Sequence, residues 1–178
     1  MNILIENNKL VVIFLFVLIL LVWLTPLIIK WIKQKRHSRL MIRSGIKDID
    51  KMNGYEFEEY LKALFKKLGY RPRVTKKSGD FGADLILVGK NKIVVQAKRY
   101  GYMHKVSLDA IREVYASQAY YSANEAWVIT NSVFTKQARE LAKACNVKLL
   151  DRLELQKFIL KVNPDQRASE FITRSLKK

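Results

Sequence analysis

A single cysteine in 178 residues, Cys145, leaves no partner for an intrachain disulfide and too few thiolates for a cysteine-ligated metal. It ends the amphipathic stretch FTKQARELAKAC (134–145) and is expected as a buried structural thiol. Histidine is nearly as scarce: His37 and His104 lie far apart in the chain, which argues against a histidine-based metal centre. Internal repeats and low-complexity tracts are absent. Acidic residues are also in short supply, with 16 Asp+Glu against 33 Lys+Arg, so the formal net charge is +17. A chain this basic is suited to a polyanion, either nucleic acid or an anionic membrane surface, unless the charge only solvates it.

One stretch lacks charge altogether. Leu10–Ile29 (LVVIFLFVLILLVWLTPLII) has no charged side chain over the length that an α-helix needs to cross a bilayer core. Trp23 and Trp31 lie near its end, where interfacial aromatics are expected. Lys30, Lys33, Lys35, Arg36, Arg39 and Arg43 follow it, whereas Lys9 is the only basic residue before it. That asymmetry predicts a retained single-pass anchor, N-terminus outside and the remainder in the cytoplasm. A cleaved signal peptide fits worse, because the n-region is hardly basic, the run is long and no small-x-small site follows. The basic stretch 30–47 is expected against anionic lipid headgroups, so part of the +17 belongs to the membrane.

Beyond the span, apolar spacing sets out one domain. Phe57, Tyr60, Leu61, Leu64, Phe65 and Leu68 recur at helical steps until Gly69. A short strand (70–75), two strands near 83–88 and 92–98 and a helix over about 106–122 follow. Then come a buried-type strand EAWVIT (125–130), a helix at about 134–145, a strand VKLL (147–150) and a helix at about 152–161. This order predicts an α/β domain, a mixed sheet with helices on both faces. The expected organisation is a short extracytoplasmic N-terminus (1–9), a transmembrane helix (10–29), a basic juxtamembrane connector (30–53), the folded domain (54–162) and a polar tail (163–178).

The chemistry concentrates in SGDFGADLILVGKNKIVVQAK (78–98). Two apolar runs flank the turn-prone GKN, which reads as a β-hairpin. Asp84 opens the first run, and Gln96 and Lys98 share one face of the second. A carboxylate, an amide oxygen and an ammonium on adjoining strands suit a divalent metal and an activated water. Simpler readings exist. Asp84 could cap a turn after Gly82, and Lys98 could be a solvated strand end. Gln96 resists such a reading, since a polar residue after Ile-Val-Val needs partners if buried. Asp80 reads as a turn residue, with Gly79 and Gly82 permitting a tight approach to the sheet.

In the same order and spacing, GYEFEEYLKALFKKLGY (54–70), SGDFGAD, QAKRY (96–100), VITNSVFTKQARELA (128–142) and VKLLDRLEL (147–155) resemble the Mrr-type branch of the PD-(D/E)xK nucleases. In that branch Gln replaces the second acid. The resemblance covers about 54–160 and implies a restriction-endonuclease-like fold, a metal-dependent phosphodiesterase core using Mg²⁺ or Mn²⁺, and DNA as substrate. It assigns Asp84 and Gln96 to the metal, Lys98 as the motif lysine and Glu58 as the helical acid completing the site. Without the resemblance, Glu58 would read as part of a surface acidic cluster with Glu56 and Glu59. Lys76, Lys77, Arg99 and Lys105 flank the motif as expected phosphate contacts, or as solvated basic surface. Tyr100, Tyr102, Tyr120 and Tyr121 fit base stacking or, more simply, core packing. Cutting both strands takes two active sites, which makes a homodimer the expectation. The reading that follows is a membrane-anchored endonuclease, with defence against incoming DNA as one role. The alternative is an inactive nuclease-fold module that tethers DNA at the membrane.

Overall fold

The computed structural model describes residues 15–16, 18–29, 45–75, 81–101 and 104–164. The chain divides into two compact units, Met1–Leu40 and Met41–Lys178. In the first, residues 18–29 form α1, whose side chains are all solvent-exposed. The rest of the expected span, 10–14 and 17, lies outside the described residues, as do residues 30–44 of the basic stretch 30–47 and the tail from 165. Among the described residues, no helix is long and apolar enough to cross a membrane. The anchor therefore rests on the sequence.

The second unit contains α2 (Ile46–Ile49), α3 (Gly54–Lys67), β1 (Arg71–Val74), β2 (Leu85–Val88), β3 (Lys92–Lys98), α4 (Asp109–Tyr120), β4 (Glu125–Thr130), α5 (Lys136–Ala144), β5 (Lys148–Leu150) and α6 (Arg152–Val162). Local chemistry sets the helix ends. Asn53 Oδ1 accepts from the Glu56 N–H (2.9 Å) while Glu56 Oε2 accepts from the Asn53 N–H (2.8 Å), a reciprocal cap for α3. The helix ends where Gly69 takes φ +93° and the Tyr70 N–H reaches back to the Phe65 carbonyl (3.0 Å). Thr135 caps α5 and Asp151 caps α6 through their side-chain oxygens.

The five strands lie in chain order, β1-β2-β3-β4-β5. β1, β2 and β3 are antiparallel, while β3–β4 and β4–β5 are parallel, each parallel pair joined through a crossover helix. Both crossover helices, α4 and α5, cover one sheet face, where Val94, Ala126 and Val128 pack with Ile111, Val114 and Ala138. On the other face Leu85, Leu87, Ile93, Val95, Trp127 and Ile129 pack under α3 and α6, with Phe57, Leu61, Phe65, Leu155 and Ile159. The mixed sheet with helices on both faces matches the sequence expectation.

Three details differ from it. The helix expected from about 106 begins at Asp109, because the Val106 N–H donates to the Val133 carbonyl (2.9 Å) and Val106 bridges to Phe134. Inside the stretch read as a connector, α2 buries Ile46 and Ile49 in the α3/α6 core. Cys145 is half-buried against the α4/α5 core, not fully enclosed.

Candidate active site

Asp84 sits one residue before β2, yet its backbone already belongs to the sheet. Its N–H donates to the Val95 carbonyl (2.9 Å), and its own carbonyl accepts from the Thr75 N–H (3.0 Å). The pairing Leu85↔Val95, carried one step back, sets Asp84 directly opposite Gln96. Across that gap Asp84 Oδ2 accepts from Gln96 Nε2 (2.8 Å) and from the Ala97 N–H (2.7 Å). The carboxylate is thus aimed at β3 by two donors, a cross-strand role that the turn-cap reading lacks.

Gln96 is buried, at 6% exposure, although it shares its strand with Ile93, Val94 and Val95. Its Nε2 is used on Asp84, and its Oε1 is buried with no hydrogen-bond partner. An enclosed amide oxygen without a donor costs roughly 1–3 kcal/mol. Lys98, two residues on and so on the same face, pairs its Nζ with Glu113 Oε2 of α4 at 2.7 Å. Its side chain keeps 25% exposure, which removes the solvated-end reading.

Gly82 fixes the loop that delivers Asp84. It has φ +86°, and a Cβ there would stand 2.5 Å from the Glu113 carbonyl oxygen and 2.9 Å from the Glu113 Cα. The backbone of the Gly82 loop therefore lies directly on α4, at the residue whose carboxylate meets Lys98. Glu113 was not singled out by sequence reasoning. It stands on a polar helix stripe between Ile111 and Val114, and only the tertiary packing gives it a partner.

Glu58 is half-buried in the second turn of α3. That helix packs on the sheet face opposite the one shared by Gln96 and Lys98. Arg99 turns its guanidinium to the Asp50 carbonyl, and its Nε is buried without a partner. Lys105 is exposed. Lys76, Lys77, Asp80 and Tyr102 lie outside the described residues. Tyr100 and Tyr121 pack against the α4/α5 core, whereas Tyr120 is 59% exposed.

A polar cluster braces the strand ends beside the site. Asp50 takes a bidentate pair from Arg152, NH1 to Oδ1 (2.6 Å) and NH2 to Oδ2 (2.8 Å), plus a hydrogen bond from Asn131 Nδ2 (2.9 Å). Asn131 also clips the backbone of Tyr100, accepting from its N–H and donating to its carbonyl, both at 2.9 Å. Burial pushes the Asp50 carboxyl up, but the bonds from Arg152 and Asn131 and the charges of Arg152 and Arg99 outweigh it. Its pKa therefore lies below the usual aspartate value.

The donor set fits a hard divalent cation: one oriented carboxylate and one unpartnered amide oxygen at the carboxyl end of a sheet strand. Among the described residues, no group of three or more His, Cys, Asp or Glu could hold a metal. The fit thus uses the amide oxygen, and water or substrate oxygens would complete the shell.

A mixed sheet between helix layers, with Asp on one strand and Gln-x-Lys on the next, defines an α/β domain of nuclease type. Residues 49–159 match the Mrr_cat family model, described as restriction endonuclease, and the chain belongs to that family. No curated protein matches the chain. Among solved structures it is similar in fold to the DNA modification-dependent restriction endonuclease AspBHI, with 20% identity and a TM-score of 0.51. That match covers 78% of this chain and 40% of AspBHI. Weaker likenesses are to AF1548, a protein of unknown function (16% identity, TM-score 0.49, 56% of this chain and 58% of that one), and to the MspJI restriction endonuclease in complex with a 27-mer oligonucleotide (19%, 0.41, 66% and 30%). The chain spans less than two thirds of each of these proteins.

Proposed function

We propose that the chain is a metal-dependent endonuclease that hydrolyses DNA phosphodiester bonds. The observation that carries this reading is the buried, unpartnered Gln96 Oε1 beside the Asp84 carboxylate, with Lys98 on the same sheet face. Asp84 and Gln96 Oε1 would hold Mg²⁺ or Mn²⁺, which when bound polarises the phosphate and lowers the pKa of coordinated water. Lys98 places an ammonium where negative charge grows on the phosphoryl oxygens as water attacks phosphorus and the sugar oxygen leaves. Glu113 holds that ammonium in place from α4. Glu58 remains the proposed helical acid of the site.

Around this centre, Lys76, Lys77, Arg99 and Lys105 are proposed phosphate contacts, supported by the +17 charge of the chain. For Arg99 the support is the weaker, since its guanidinium already serves Asp50. The exposed α1, which carries no charged side chain, and the basic residues after it support a single-pass anchor with the nuclease in the cytoplasm and residues 30–47 on anionic headgroups. A homodimer would bring the two active sites that double-strand cleavage needs, and the proposed location suits defence against DNA arriving at the envelope and DNA repair or turnover near the membrane equally.

The test is plasmid cleavage by the full-length chain with Mg²⁺ or Mn²⁺. Asp84→Ala and Lys98→Ala are each expected to abolish nicking. Undiminished cleavage in both variants would overturn the site assignment. Salt-sensitive DNA binding with no cleavage under any divalent ion would instead identify a tethering module.

A further inference from the structure

Phe81 holds φ +50°, a left-handed conformation that an aromatic residue rarely adopts, and the backbone gains no buried ring in return. The Phe81 side chain is 53% exposed and lies flat on Tyr120, itself 59% exposed, with ring centroids 3.8 Å apart and planes 24° apart. Tyr121 meets Tyr120 edge-on at 4.9 Å and packs inward, so the stack is rooted on α4 while its upper surface faces solvent. Two large aromatic rings stacked in water are out of place on a domain surface, unless something planar covers them.

The position of this stack relative to Asp84 and Glu113 is set by the fold. Phe81 precedes Gly82, whose backbone rests on Glu113, and Asp84 follows two residues later. Tyr120 is seven residues after Glu113 on α4, two turns along nearly the same stripe, or about 10 Å at 1.5 Å per residue. The loop 81–84 therefore runs along α4 from the aromatic pair to the Asp84/Lys98 centre. A nucleic-acid strand with its phosphate at that centre would place a neighbouring base within reach of the rings.

We infer that Phe81 and Tyr120 form a stacking platform for an unpaired base of the DNA strand held at the Asp84/Lys98 centre, so that this site favours single-stranded or gapped DNA over a closed duplex. The inference rests on the nuclease reading of that centre. Aromatic faces accept any base but only when it is out of its own stack, and the basic charge of the chain supplies the backbone attraction.

The test is equilibrium binding of the full-length protein, without divalent ion and at one fixed salt concentration, to labelled single-stranded, gapped and fully paired oligonucleotides. Wild type is expected to prefer the first two. Phe81→Ala and Tyr120→Ala are each expected to weaken single-strand binding roughly tenfold, with duplex affinity changed less than about twofold, and Phe81→Tyr to restore the preference. Both rings are exposed, so melting curves of the variants should overlay that of wild type. Equal losses on single strands and duplex, or no loss on either, would overturn the platform and leave the nuclease reading intact. Absence of binding to any of the three DNAs would overturn both.

Discussion

At Gly82 the absence of one carbon lets a loop lie on a helix. An added Cβ would meet the Glu113 carbonyl oxygen at 2.5 Å, and φ +86° disfavours any side chain. Gly82→Ala is expected to lower stability by about 1–3 kcal/mol, the range for overpacking, seen as a drop in melting temperature together with impaired cleavage. Glu113 tests the other half of the same contact. Its pair with Lys98 is partly exposed, so Glu113→Gln should change stability by less than about 1 kcal/mol. Cleavage should nonetheless fall between roughly tenfold and a hundredfold as the ammonium loses its tether, with partial recovery in Glu113→Asp. Single-turnover rates beside melting curves separate the two effects. Asp84, Gln96 and Lys98 were legible in the sequence because strand alternation alone places the last two on one face. Glu113 was not, since a polar helix residue shows no sign of its partner until strand and helix are docked.

Among the secondary elements, the cluster around Asp50 ties α2, β4 and α6 to the residues just after Lys98. Asn131 acts there like a short extra strand, pairing with both backbone groups of Tyr100. Because the Asp50 carboxyl is held below the ordinary aspartate pKa of about 3.9, its contribution to stability is fully present above that value. It is lost as pH falls through the lower, folded-state pKa. Asp50→Asn is expected to be less stable at neutral pH and to show a flatter decline on acidification, read from denaturant midpoints across pH 2–7. The helices and strands themselves were legible from periodicity, caps and breakers. Two edges were not. Val106 has the apolar character of a helix start but is spent on a bridge to Phe134, and Ile46 and Ile49 are spaced within too short a run to signal a helix.

For the whole molecule, the two units make separable demands. If α1 belongs to a membrane span, the full chain should stay in the membrane fraction through a high-salt wash and leave only with detergent, whereas a chain lacking residues 1–29 should be released by salt. Release of the intact chain by salt alone would assign its attachment to the basic residues. The domain's layered α/β architecture followed from the order of elements, and the family from motifs spread along it. The strand order followed from neither, because pairing partners are chosen by tertiary packing and turn geometry.

That strand order has a consequence for how the domain is made. Each strand pairs with the one synthesised just before it, so the sheet can grow at a single edge as the chain leaves the ribosome. No strand has to wedge between two that are already bonded, and β1 and β5 are left as the two rims. The Asp84–Gln96 pair forms with the second and third strands, and Glu113 of α4 comes next, well before the last rim is laid down. A chain synthesised only as far as α4 would already hold Asp84, Gln96, Lys98 and Glu113, though not Thr130 of β4, which pairs with Lys98 in the finished sheet.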